Sequence, residues 1–327
     1  MNYQWAVIGC GQIAREMASD LARKGHAFYG IYNRTLEKAK NFAEEFGVER
    51  VYESLEEILA DDQVQILYLA SPHNSHYPII RQALLAGKHV LAEKAITLNA
   101  SQLEEVSLLA QERDLILAEA MTIYHMPLFK ELRDRVASGE FGPLQMIQIN
   151  FGSYKDYQMT NRFFNPKLAG GALLDIGVYA LSCANWFLTS PVETILSQKV
   201  KAASGVDERS MILLNNDQDE QVSISLSLHA KQAKRASIIC QEAYIEIYDF
   251  PRADQADIYY GASGLKESLH LGSSQEALIN EVEAMEEAVA NQGNMYLDKS
   301  RQVMQIMTKL RQDWQVLYPE EGADHAS

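Results

Sequence analysis

Cysteine is scarce and scattered. Cys10, Cys183 and Cys240 are the three in 327 residues. They lie far apart with no C-x-x-C or paired His/Cys spacing, which excludes a disulfide framework and a zinc site and leaves separate thiols. Positive charge is also short: 29 Lys and Arg stand against 44 Asp and Glu, a formal net charge of -15. A surface built to neutralise phosphates has the opposite balance, so nucleic acid and anionic membrane are poor candidates as partners and a small-molecule substrate is expected. No apolar run is expected to reach the roughly 18 residues of a membrane-spanning helix. The first strand-like segment begins within a few residues of Met1, which leaves no room for a cleaved leader, so a cytoplasmic protein is expected. Internal repeats, low-complexity tracts and flexible linkers are missing as well.

Apolar residues, in contrast, make up 47% of the chain, ample for the two domains that this length implies. A strand-like run from Tyr3 enters the string G-C-G-Q-I-A, and Ile13, Met17 and Leu21 follow at helical spacing. In that context Gly9 makes the tight turn, Gly11 lets backbone approach a pyrophosphate, and Ala14 is small enough for helix against strand. Gln12 and Ile13 then open the helix whose N-terminus receives the phosphates. Alternation continues: strands at 26–33, 65–70, 89–92 and 115–118, helices at 35–46, 54–60, 77–86 and 101–112, with a Ser54/Glu57 capping box. This predicts an α/β fold whose residues 1–122 form a dinucleotide-binding, doubly wound parallel sheet.

After Pro127 the character changes. A helix to Val136, a strand at 144–154 and a long apolar helix from about Gly171 to Leu188 give way to strands at 192–202, 211–214, 222–228, 236–240 and 244–248. Two helices, 276–290 and 297–317, precede a polar tail from Glu320 to Ser327. Residues 123–327 are therefore expected to form an α+β domain for substrate binding and oligomerisation. Val222, Ile224, Leu226 and Leu228 alternate with Ser223, Ser225 and Ser227. The serine face is either solvated or packed on a second subunit.

Three strings bear on chemistry. Glu93 and Lys94 end a parallel strand, where ligands bind in open α/β sheets, so both are expected at the cofactor. Asp175 and Tyr179 are four apart on the long helix and share a face, behind a Gly170-Gly171 pair that admits another backbone. They are read either as a carboxylate and phenol for catalysis or as a capping group and a core ring. The end of the second strand, Tyr32-Asn33-Arg34-Thr35, has no carboxylate for a ribose 2'-hydroxyl but has a guanidinium, so Asn33 and Arg34 favour NADP, with NAD the alternative. Ser71, His73 and His76 follow the next strand and are expected along the cofactor edge, with His76 near the substrate. Two histidines three apart without a companion carboxylate call for no metal. Tyr124, Tyr154 and Arg162 are pocket candidates.

Together the strings G-C-G-Q-I-A, A-E-K and G-G-A-L-L-D-I-G-V-Y resemble the Gfo/Idh/MocA family of nicotinamide-dependent oxidoreductases. The segment 165–179 is similar to its branch of dihydrodiol dehydrogenase, D-xylose dehydrogenase and glucose-fructose oxidoreductase. The resemblance implies a Rossmann domain followed by an open-faced, predominantly antiparallel sheet, and hydride transfer on a sugar, polyol or dihydrodiol. It further implies Lys94, Asp175 and Tyr179 as the catalytic set, and a homodimer or higher homo-oligomer. A catalytically silent nicotinamide-responsive binding protein of the same fold is the alternative. Ala95 stands where the family has proline, and Ile123 and Tyr124 where the branch has an aromatic and an arginine, so the branch's substrates do not transfer directly.

Overall fold

The four residues of β1 (Trp5–Ile8) are apolar and buried throughout, as a strand covered on both faces must be. In the computed structural model, which describes residues 1–321, β1 is central to a six-stranded parallel sheet. Its companions are β2 (Gly30–Tyr32), β3 (Arg50–Tyr52), β4 (Ile66–Leu69), β5 (His89–Glu93) and β6 (Leu117–Ala120), in the order β3-β2-β1-β4-β5-β6. The order reverses between β1 and β4, and that switch point is where open α/β sheets bind ligands. The connecting helices are α1 (Gln12–Arg23), α2 (Leu36–Phe46), α3 (Leu55–Ala60), α4 (His76–Leu85) and α5 (Ala100–Glu112). Ser54 caps α3 by accepting from the Glu57 amide at 3.2 Å, while the Glu57 carboxylate accepts from Glu53 N at 2.8 Å, one residue before the reciprocal partner of a full capping box.

The second sheet has eight strands: β7 (Leu144–Gly152), β8 (Val192–Lys201), β9 (Asp207–Asn216), β10 (Gln221–Ser227), β11 (Gln232–Cys240), β12 (Ala243–Tyr248), β13 (Gln255–Tyr260) and β14 (Lys266–His270). They run in the order β14-β13-β12-β11-β7-β10-β9-β8. β7 and β10 pair in parallel and the other neighbours are antiparallel. Val222, Ile224 and Leu226 point into the core, whereas Ser223 and Ser225 lie partly exposed on the outer face. That face also exposes Leu196, Met211, Leu213, Tyr244 and Tyr248. Helices α6 (Thr122–His125), α7 (Pro127–Ala137) and α8 (Val178–Phe187) belong to the same unit.

The long apolar helix expected from Gly171 to Leu188 is helical without a break from Ala172 to Phe187, but it changes hydrogen-bond register near its start. A π turn, Leu173–Gly177, leads into α8, and a short 3-10 turn, Pro166–Leu168, precedes it. Within the 22 residues Pro166–Phe187, an 18-residue window has a mean hydropathy of 1.3, enough by length and composition to cross a bilayer. The sequence reading missed this because Lys167 and Asp175 interrupt the run. With 89% of the window buried inside the protein, it is a core helix.

The domain division also needs correcting at its C-terminal end. The units are Met1–Ala120 with Gln275–Leu297, and Met121–Ser274 with the chain from Asp298 onward. Of the two last helices, α9 (Ala277–Asn291) belongs to the first unit, and α10 (Leu297–Trp314) lies in the second from Asp298. The physical reason is burial: Leu278, Val282 and Met285 enter the core that holds Met17 and Leu21 of α1, and Trp5 Nε1 donates to Glu286 Oε1 at 2.9 Å. Spacing shows that a helix has a buried face without showing what covers it. Three strands, β3, β13 and β14, were also unforeseen. The expected polar tail continues past Glu321 into 322–327, outside the described residues.

Candidate active site

In the first unit the turn after β1 admits no side chain at its first glycine. Gly9 has φ +103°, and a Cβ there would stand 2.6 Å from the Ala70 carbonyl oxygen at the end of β4. Its amide donates to the Tyr32 carbonyl at 2.9 Å, so one residue ties the carboxyl ends of β1, β2 and β4 together. Gly11 differs: a Cβ there would meet nothing within 4 Å. It is the N-cap of α1, offers no side-chain cap, and the first turn holds no acidic residue. The first-turn amides of Gln12 and Ile13 thus open a helix start suited to an anion. Gln12 is exposed and Ile13 partly so, whereas Ala14 is fully buried as expected. Glycine where a side chain would clash, open space over the second glycine, and unclaimed helical amides together fit a dinucleotide pyrophosphate.

Past β2, Asn33 Nδ2 donates to the Thr35 carbonyl at 3.0 Å, closing the turn that exposes Arg34. Beyond β4, Ser71 Oγ and Ser75 Oγ are 2.6 Å apart, and His73 is partly exposed with its ring edge-on to His76 at 5.8 Å. His76 itself corrects the sequence expectation of a cofactor or substrate contact. It is fully buried, with Nε2 2.8 Å from the Ser71 carbonyl and Nδ1 3.1 Å from that of Ala95. Burial holds its pKa below the ordinary imidazole value. Glu93, also buried, accepts from Tyr68 Oη at 2.5 Å. From Val90 to Leu98 every residue but Lys94 is buried. The Lys94–Ala95 peptide is cis.

In the second unit a comparable pattern surrounds Tyr179. Every residue of α8 but Tyr179 is buried, and its ring lies 6.3 Å from that of Phe151. Asp175, nearly buried, sits in the π turn rather than on a regular α-helix, so its face relative to Tyr179 is set by a wider turn than the sequence arithmetic assumed. The glycine pair does admit another backbone: a Cβ at Gly170 would stand 2.7 Å from the Arg162 carbonyl, and the Gly171 amide donates to the Phe163 carbonyl at 2.9 Å. That approach brings the Arg162 guanidinium 3.6 Å from Asp175 Oδ1 and over the Phe163 ring. Arg162, an exposed side chain, thus pairs with the nearly buried Asp175. Tyr154 is 58% exposed and tilts against His229. Tyr124 is not a pocket residue: it is fully buried and stacked on Trp186 at 5.2 Å, a core ring. Next to it, burial pushes His125 down to about 3.

Sequence reasoning missed the groups that hold this scaffold. Glu119, Gln102 and Asp207 are all buried and accept from the backbone amides of Ile96, Leu98 and Leu173, at 3.0, 3.1 and 2.6 Å. The available signal was a polar residue in an apolar segment, Glu119 in L-A-E-A above all. Asp207 and Tyr318 carry no local signal, since their partners, Leu173 and Gly170, are far away in sequence.

Comparison with known proteins bears on this geometry. A family profile described as an oxidoreductase family with an NAD-binding Rossmann fold matches residues 3–121, and a GFO/IDH/MocA C-terminal domain profile matches residues 129–246. Trans-1,2-dihydrobenzene-1,2-diol dehydrogenase from Macaca fuscata fuscata is 30% identical over 242 residues, covering 73% of this chain and 72% of that protein. The enzyme of that name from Homo sapiens is 29% identical over 251 residues, with 76% and 75% covered. Among solved structures, a tyrosine-to-phenylalanine mutant of a 3-ketoreductase from Actinomadura kijaniata, in complex with TDP-benzene and NADP, gives a TM-score of 0.84 at 25% identity, with 95% of this chain and 97% of that one covered. UDP-N-acetylglucosamine 3-dehydrogenase from Acidithiobacillus ferrooxidans shares the fold, with a TM-score of 0.80 at 21% identity and 94% and 96% covered.

Proposed function

The chain belongs to the GFO/IDH/MocA family of NAD(P)-dependent oxidoreductases, and on that premise we propose that it interconverts a hydroxyl and a carbonyl on a sugar, polyol or dihydrodiol-like molecule, preferring NADP, with Lys94, Asp175 and Tyr179 as its catalytic set. One observation carries this reading: Lys94 and Tyr179 are each the one partly exposed residue of an otherwise buried stretch. A side chain kept accessible on such a stretch is available to a ligand.

The first unit holds the dinucleotide. Gly9, Gly11 and the amides of Gln12 and Ile13 receive the pyrophosphate, Asn33 and Arg34 the ribose 2'-phosphate, and Ser71, His73 and Glu93 border the remainder. When bound, the nicotinamide supplies or takes up the hydride. Loss or gain of hydride at a carbinol carbon requires a proton to move at its oxygen, and Tyr179 handles that proton. An ordinary phenol ionises near pH 10. An ammonium such as that of Lys94 favours a phenolate and stabilises negative charge developing on the substrate oxygen. Asp175, with Arg162 at hand, orients the cationic group, and Arg162 and Tyr154 contact the substrate. The second unit supplies this substrate surface and a homodimer face, the outer side of its sheet. Three free thiols and an acidic net charge support a cytoplasmic setting without a nucleic-acid or membrane partner.

The test is a panel of aldoses, polyols, inositols, ketosugars, dicarbonyls and dihydrodiols, read by nicotinamide absorbance with each cofactor. Turnover on a carbohydrate-like member with NADP(H) is expected. Cofactor binding without turnover on the whole panel would favour a silent nicotinamide-responsive protein instead.

A further inference from the structure

Past Glu93, the last residue of β5 to pair with β6, the chain leaves the sheet but stays buried through Leu98, Lys94 excepted. Buried peptide groups outside a ladder need other partners. Side chains from three different helices and strands supply them. Glu119 of β6 accepts from the Ile96 amide at 3.0 Å, His76 at the start of α4 meets the Ala95 carbonyl at 3.1 Å, and Gln102 of α5 accepts from the Leu98 amide at 3.1 Å. The exposures of Glu119, His76 and Gln102 are 2%, 0% and 6%, so water does not compete for these bonds.

Glu119 and His76 act closest to the lysine, on the amide and the carbonyl of the two residues that follow it. Glu119 stands opposite Ala92 in the ladder. It therefore projects from the sheet face opposite the one on which Tyr68 meets Glu93. His76 also reaches the Ser71 carbonyl, so one ring joins the segments that follow β4 and β5. A neutral imidazole has one N–H for these two carbonyls.

We infer that Glu119 and His76 are positioning residues: by holding both polar groups of the Ala95–Ile96 peptide, one residue past Lys94, they fix the direction in which its ammonium is presented. This inference rests on the catalytic role proposed for Lys94. Neither side chain reaches the reacting atoms, and both act through the lysine.

Displacing a catalytic group by about 1 Å can cost on the order of 100-fold. Glu119→Leu, which removes the acceptor, is expected to lower kcat by about 10- to 100-fold with the NADPH Kd nearly unchanged. Glu119→Gln, which keeps an acceptor carbonyl, is expected to recover most of that loss. In a Lys94→Met background, Glu119→Leu is expected to add nothing. Parental kcat in Glu119→Leu, or the same loss with and without Lys94, would overturn the inference. If Lys94→Met alone left kcat unchanged, the proposed role of Lys94 would fall and the inference with it. That outcome is distinct from a failure of Glu119 alone. Should Glu119→Leu fail to bind NADPH, His76→Leu and His76→Asn pose the same question, since an asparagine amide can donate where Nδ1 stands. Loss in the first and recovery in the second supports positioning, and equal activity in both overturns it.

Discussion

Cofactor choice is expected to turn on Arg34. It is exposed just past β2, on a turn closed by Asn33, and residues 32–35 carry no carboxylate to accept a ribose 2'-hydroxyl. A guanidinium instead matches the 2'-phosphate. NADPH is expected to bind about tenfold or more tightly than NADH, and Arg34→Ala to abolish that preference, since hydrogen bonds to charged groups contribute about 1.5–3 kcal/mol. Calorimetric titration of the unmodified protein giving equal or reversed affinities would contradict this. Single residues were legible in the sequence where their constraint is local: Gly9, Gly11 and Ala14 answer to one turn and one helix start. His76 and Tyr124 were misread because nothing adjacent in sequence reveals that the ring of one bridges the Ser71 carbonyl to that of Ala95, 19 residues past the histidine, and the ring of the other packs on Trp186.

Among the elements, the Gly170–Gly177 approach to α8 has a support that its own sequence does not show. Fully buried Asp207 accepts from the Leu173 amide, and a side chain at Gly171 would collide with it, while Tyr318 Oη donates to the Gly170 carbonyl at 2.7 Å. Arg311, 2% exposed, meets Glu321 through two bonds of 2.7 Å. The end of the described chain thus braces the turn that carries Asp175. Burial raises the Asp207 carboxyl from an ordinary 3.8 to about 6. The folded protein then holds that proton more tightly than the unfolded chain, so this group's stabilisation is full below about pH 4 and is lost as pH rises through about 6. Asp207→Asn, which keeps the acceptor for Leu173, is expected to gain on the parent by about 2–3 kcal/mol between pH 4 and pH 7. Denaturation curves across that range check it, and parallel pH profiles for the two proteins would contradict it. Buried strands such as β1 and β4 could be read from apolar runs. The edge strands β3 and β14 could not, because three residues give no period and K-E-S-L-H is half solvated. The π turn was hidden because an apolar helix pattern does not distinguish one hydrogen-bond register from another.

For the whole molecule, the change of pattern near residue 122 marked where one unit gives way to the next, but the return of 275–297 to the first unit depends on a packing partner some 250 residues away. On the outer face of the second sheet, Leu196 pairs with Leu213, and exposed Met211, two residues along β9, extends the apolar surface. Contiguous exposed apolar surface of this kind marks an interaction site. The unmodified protein is expected to be a dimer, and Met211→Lys with Leu213→Lys to return it to the chain mass of 36.8 kDa. Light scattering giving that mass for the unmodified protein at micromolar concentration would contradict the assignment. The central proposal is that Lys94 and Tyr179 act as one proton-handling pair. It is tested most directly by kcat on the best substrate for Tyr179→Phe, Lys94→Met and the double variant, with NADPH Kd measured alongside. Each single change is expected to lower kcat by about 100- to 10,000-fold at nearly constant Kd, and the double variant to be little worse than the poorer single one. Near-parental kcat in Tyr179→Phe, or losses that multiply in full, would contradict it.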